Sequence, residues 1–113
     1  MSWKRSIVVD IAGGTATATI QMPVSGKISK AYFCMTAAAA GSWELSKSST
    51  SQIATTAPDV SVIARAKVSL PAAAVANYVP TVFELGVPVK ILDNLYLHCT
   101  GAGNSGTLTL IIE

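Results

Sequence analysis

The sequence contains little charge and few of the side chains on which catalysis usually depends. Only 12% of its 113 residues are charged and the formal net charge is +2, whereas soluble domains average about 25% charged residues. It has a single histidine, and its six acidic residues are scattered without a glycosidase or metal-binding pattern. We therefore do not expect an enzyme, a bound metal or a cofactor. No basic stripe is present to neutralise phosphates, so nucleic acid is not an expected partner.

Long apolar runs are also missing. Runs such as the four alanines of 37–40 are far shorter than the roughly 18–20 residues that span a bilayer. The basic start of the chain reaches Asp10 before the apolar core of a secretion signal develops. We therefore expect the chain to be synthesised in a cytoplasm. We do not expect it to associate with a membrane. The two cysteines, Cys34 and Cys99, are expected to be reduced and to serve as small hydrophobic residues.

What the sequence does contain is alternation of polar and apolar residues, which is typical of β-strands. Turn-forming residues separate eight such segments, at 3–11, 15–22, 27–37, 42–47, 60–70, 81–87, 89–100 and 107–113. The segment at 89–100 could be one bent strand or two short ones. We predict an all-β protein in which residues 1–113 form a single antiparallel β-sandwich of about eight strands, jelly-roll-like in topology. The inward positions of four of these strands predict the following core: Val62, Ala66, Val68, Phe83, Leu85, Leu97, Leu108, Leu110 and Ile112.

Two glycine-rich stretches are interpreted as turns. Gly13 and Gly14 predict a tight hairpin between the first two strands. The segment Gly101–Gly106 matches the G-x-G-x-x-G pattern of dinucleotide-binding proteins. That motif requires a helix to follow, whereas the residues after it are of β type. We therefore predict a hairpin loop there and no bound dinucleotide.

Four consecutive apolar residues in the third predicted strand indicate that both of its faces are covered. Because neighbouring side chains point to opposite faces, two of these four must point away from the core. We expect another subunit to cover them, and hence an obligate homo-oligomer, a trimer. His98 is expected at a surface or interface, on the face opposite its neighbour Cys99, so the two cannot form a catalytic dyad in place. The candidate interface residues are Tyr32, Phe33, Met35, Trp43, Tyr78, Tyr96 and His98.

The order of strands and turns resembles a family of small virion proteins. The resemblance lies in Gly26–Phe33 and in a tail made of Phe83–Leu85, Pro88–Val89, Leu95–Gly101 and Gly106–Ile112. These segments look like the β-sandwich proteins of tailed phages, namely capsid decoration proteins, head-fibre heads and fibre tips. The resemblance implies a decoration or cement protein, located in the virion, that stabilises a phage head by binding the major capsid protein. The alternative is a receptor- or carbohydrate-binding module of a fibre or tail, for which Trp43 and Tyr78 are the candidate contact residues.

Overall fold

The computed structural model describes residues 4–35, 41–53, 58–68, 81–100 and 105–113. These residues form eight β-strands and no helix. In the part of the chain that the structure describes, there is accordingly no helix long and apolar enough to cross a bilayer. The strands are β1 (Arg5–Ile11), β2 (Thr17–Gln21), β3 (Gly26–Met35), β4 (Gly41–Ser46), β5 (Val62–Val68), β6 (Thr81–Val89), β7 (Asn94–Thr100) and β8 (Gly106–Ile112).

The strands lie in two antiparallel sheets of four. The strand order is β1-β8-β3-β6 in sheet A and β2-β7-β4-β5 in sheet B. The prediction of an all-β sandwich of about eight strands is therefore confirmed. Pro88 lies within β6, which is an edge strand, the position at which a missing backbone donor is tolerated.

The predicted hairpin between the first two strands is wrong. β1 pairs with β8 and β2 pairs with β7, so the turn at Gly14, whose φ is 86°, carries the chain from one sheet to the other. The loop after β7 is not a hairpin either, because β7 and β8 belong to different sheets; its residues 101–104 lie outside the described residues. The alternation of polar and apolar residues predicts which face of a strand is buried. It does not predict the partner strand, because pairing β1 with β2 or with β8 would bury the same face of β1.

Two strand boundaries also differ from the prediction. The fifth strand begins at Val62, and Val60 is completely exposed. The segment at 89–100 is divided by a turn at residues 90–93, so that Val89 ends β6 and β7 begins at Asn94.

The core lies between the two sheets. Phe33 of sheet A lies 5.9 Å from Trp43 of sheet B and 5.0 Å from Phe83, measured between ring centroids. Of the predicted core, four residues are fully buried, namely Leu97, Leu108, Leu110 and Ile112. Three are partly buried, namely Val62, Phe83 and Leu85. The side chains of Ala66 and Val68 lie outside the described set.

Candidate functional site

Two of the aromatic residues predicted at an interface belong to the core. Phe33 is 1% exposed and Trp43 is fully buried, so neither side chain leaves surface for a partner, and that expectation is corrected. Trp43 lies on the same face of β4 as buried Leu45, which directs its ring between the sheets. The indole Nε1 of Trp43 is buried without a hydrogen-bond acceptor in the part of the structure described.

His98 is not at a surface, which corrects a second expectation. Its side chain is 2% exposed, beneath residues 47–53, which we call the strap. Nε2 lies 2.9 Å from the carbonyl oxygen of Ser48, and because a carbonyl only accepts, this nitrogen carries a proton. Nδ1 lies 3.2 Å from the hydroxyl oxygen of Thr17. Both ring nitrogens are thus engaged by the chain itself. Tyr96, which is half-buried, stacks on the imidazole with 6.3 Å between the ring centroids.

Glu44 is the second buried polar group under the strap. It is fully buried, and it lies between His98 and Arg65 in the strand register. Its Oε1 accepts from Nε and Nη2 of Arg65, each at 3.0 Å, and its Oε2 accepts from the backbone N–H of Gln52 at 2.9 Å. Arg65 also donates to the backbone carbonyl of Gln52. These bonds compensate the cost of burying the carboxylate.

These side chains form a continuous row across the outer face of sheet B. We call it the polar row: Thr17, His98, Glu44 and Arg65, one residue from each strand. Thr17 lies within hydrogen-bonding distance of His98, and Arg65 donates to Glu44. His98, Glu44 and Arg65 each bond to the strap. The polar row therefore fastens residues 47–53 to the sheet.

Sequence reasoning missed the polar row. The predicted strand segments leave residues 48–59 as a mere connection between strands, whereas Ser48, Gln52 and Ile53 are partly buried. The available signal was the presence of an acidic and a basic residue on the polar faces of two consecutive strands, at Glu44 and Arg65. Residues 54–57 lie outside the described part of the chain.

The end of the loop is held by a second set of hydrogen bonds. The carboxylate of Asp59 accepts from the side-chain amide of Gln52 at 2.9 Å, from the backbone N–H of Ser61 at 2.9 Å and from the Ser61 hydroxyl. These bonds, that from Gln52 first, lower the pKa of Asp59 below its ordinary value. Because the charged form accepts all three bonds, acidification below about pH 3.8, the ordinary pKa, is expected to loosen this loop.

The described residues contain no group of three histidine, cysteine or acidic side chains that could hold a metal ion. Cys34 and Cys99 form no disulfide, in agreement with the expectation of reduced cysteines. Burial raises the pKa of Cys99 to about 11. Its thiol is therefore almost entirely protonated at neutral pH.

The outer face of sheet A carries a different surface, which is apolar and uncharged at its centre. One residue from each strand forms what we call the apolar row: Val8, Thr109, Tyr32 and Val82. Val8 is 62% exposed and Val82 is 46% exposed, and Tyr32 is half-buried. The apolar row runs across all four strands of sheet A.

The third strand divides its apolar residues as the alternation predicts. Ala31 and Phe33 point into the core, and Tyr32 and Cys34 point outward, where each is half-buried. The side chain of Met35 and the whole of Tyr78 lie outside the described set. Of the predicted interface residues, only Tyr32 and Tyr96 retain surface in the described structure.

Comparison of the chain with known protein families, with curated proteins and with solved structures found no significant match.

Proposed function

We propose that the protein is a structural component of a phage virion, a decoration protein that binds the major capsid protein and stabilises the head. The observation that carries this proposal is the order in which the strands pair. The pairs β1·β8, β2·β7, β3·β6 and β4·β5 are those of one long antiparallel ribbon folded back on itself. The further pairs β3·β8 and β4·β7 place successive windings of this ribbon side by side, and this gives the two sheets.

This pairing order supports a jelly-roll topology. Jelly rolls occur in viral capsid proteins and in lectin domains. A lectin-like site would require an exposed aromatic ring beside polar groups. Trp43, the candidate for that role in the described residues, is fully buried in the core. The strand order is compatible with both functions, and the burial of Trp43 is the observation that favours the capsid function over carbohydrate binding.

The apolar row on sheet A supports assembly into a homo-oligomer, for which we propose a trimer. Its exposed valines and half-buried tyrosine would gain about 25 cal/mol for each Å² of apolar surface removed from water. The whole chain has only 14 charged side chains, 8 basic and 6 acidic, to oppose association. Closed cyclic symmetry would cover this face in every copy and leave no unfilled contact.

The proposed function is tested on purified particles. Phage carrying the gene are banded on a density gradient, and the chain is quantified by mass spectrometry relative to the major capsid protein. We expect a fixed stoichiometry, and particles from a gene deletion should lose their DNA at a lower temperature until the purified protein is added back. Absence of the chain from purified wild-type particles would refute the proposal.

The proposed assembly is tested by light scattering at low micromolar concentration. We expect three times the chain mass of 11.6 kDa. Val8→Lys should reduce the mass to that of a monomer, because it places a charge in the apolar row. Val60→Lys is the matched control, since Val60 is completely exposed outside that row. If light scattering gave the wild-type protein the mass of a monomer, the proposed oligomer would be contradicted.

A further inference from the structure

The turn between β6 and β7 exposes two adjacent large aliphatic side chains. Ile91 is 56% exposed and Leu92 is 66% exposed. Together they form what we call the apolar prong. It lies outside the apolar row of sheet A, on which the proposed self-assembly depends. Two adjacent exposed aliphatic side chains offer an apolar surface that a partner could cover.

The backbone of the prong is strained in a way that its sequence does not favour. The turn is closed by the N–H of Asp93 donating to the carbonyl of Lys90 at 3.0 Å, and the Asp93 carboxylate accepts from the N–H of Lys90 at 2.9 Å. Leu92, the third residue of the turn, has a φ of 72°. Glycine or asparagine normally occupies such a position, because a side chain there is sterically unfavourable. Leu92 therefore combines conformational strain with exposure, a combination that points to function rather than to folding.

The prong is nevertheless held firmly against the body of the sandwich. The N–H of Leu92 donates to the carbonyl of Met22, and the N–H of Met22 donates to the carbonyl of Asp93, each at 2.8 Å. The N–H of Ile91 donates to the hydroxyl of Ser25 at 2.9 Å. The side chain of Met22 is fully buried, so these bonds tie the turn to the core. A prong fixed in this way loses little entropy on binding.

The charges around the prong indicate the chemistry of its partner. Lys90 belongs to the turn, and Lys47 lines a shallow depression beside it together with Asp93, Asn94 and Leu95. Both lysines are exposed, and neither forms an ion pair within the described structure. The carboxylate of Asp93 offsets one of these two positive charges, so the surroundings of the prong keep a net positive charge, and a second copy would bring like net charges together. The surface complements instead an apolar pocket with an acidic rim.

We propose that Ile91 and Leu92 insert into an apolar, acid-rimmed pocket of the major capsid protein. This inference rests on the proposed function and names the part of the chain that makes the contact. The flanking lysines would meet the acidic rim, so association should weaken as the salt concentration rises.

The test uses particles purified from a gene-deleted phage as the binding probe. Purified protein is titrated onto them, and the bound fraction is measured by co-sedimentation. We expect Leu92→Gly and Ile91→Ser each to weaken binding at least about tenfold, a typical effect of removing a buried anchor residue. Val60→Ser, which removes an exposed aliphatic side chain elsewhere, should bind like the wild type.

Leu92→Gly also separates binding from folding. Glycine adopts a positive φ without strain, so the melting temperature should equal or exceed that of the wild type while binding is lost. Binding of both prong variants within twofold of the wild type would overturn the inference and leave the proposed function standing. Failure of the wild type itself to bind would overturn the proposed function. A fall in oligomer mass for Leu92→Gly would show that the prong contacts a second copy of this chain. This result would also overturn the inference.

Discussion

The buried carboxylate of Glu44 offers a sharp test of what holds the strap on sheet B. Glu44→Gln keeps the shape of the side chain but removes its charge. One carboxylate oxygen accepts from two nitrogens of Arg65 and the other from the backbone N–H of Gln52. An amide would retain one acceptor and turn its NH₂ group toward a donor. At least one of these bonds is therefore lost and a buried donor is left without an acceptor.

The magnitude follows from the burial of the two partners. A hydrogen bond to a charged group contributes about 1.5–3 kcal/mol, and an unsatisfied buried donor costs about 1–3 kcal/mol. Breaking a buried ion pair costs about 3–5 kcal/mol. The side chain of Glu44 is fully buried, whereas that of Arg65 is 30% exposed and can be partly rehydrated. We therefore expect Glu44→Gln to lower the free energy of unfolding by about 3 kcal/mol, the lower end of the range for breaking a buried pair.

Glu84→Gln is the matched control. Glu84 pairs with Lys30 at 3.9 Å between Oε1 and Nζ, and its side chain is 82% exposed. The same substitution should cost less than about 1 kcal/mol there, because water screens the pair. Urea denaturation followed by tryptophan fluorescence, which reports on buried Trp43, measures both variants at equal protein concentration. If both variants lost the same free energy of unfolding, the conclusion that the buried carboxylate of Glu44 holds the strap would be refuted.

Three further predictions concern the core, a thiol and a close backbone contact. Leu110→Ala should lower the unfolding free energy by about 2–5 kcal/mol, because the side chain is fully buried; a loss below about 0.5 kcal/mol in urea denaturation would place β8 outside the core. The pKa of Cys99 is raised to about 11, so iodoacetamide should alkylate this thiol slowly at about pH 8. As the pH is increased toward that pKa, the alkylation rate measured by mass spectrometry should rise about tenfold per pH unit, because the thiolate is the reactive form. A rate independent of pH would contradict this. Gly26→Ala should lower the melting temperature, because its Cβ would lie 2.7 Å from the backbone oxygen of Glu113, whereas Gly86→Ala would meet only a side-chain carbon at 3.9 Å and should melt like the wild type. Equal shifts for the two glycines would count against the steric argument.

The sequence alone determined the fold class and much of the core. Alternation is a local property, because neighbouring residues of a strand always face opposite sides. It therefore predicted that Leu108, Leu110 and Ile112 face inward and that Tyr32 and Phe33 face opposite ways, as the structure shows. The alternation and the regularly spaced turns likewise predicted an all-β fold of about eight strands before any contact was known.

Only the tertiary structure decided which strands are partners and which polar residues are buried. The pairing of β1 with β8 joins residues about a hundred positions apart, and no local pattern distinguishes it from a hairpin with β2. The same holds for His98 and Glu44, which occupy the polar face of their strands and are buried only because the strap folds over them.

The conformation of Leu92 is the clearest case of tertiary override. Its residue type argues against a positive φ, yet hydrogen bonds from the turn to Met22 hold it there. Sequence patterns describe what a residue prefers in isolation. Long-range hydrogen bonds and packing override that preference where the sum of many such contacts exceeds the small conformational cost of one residue.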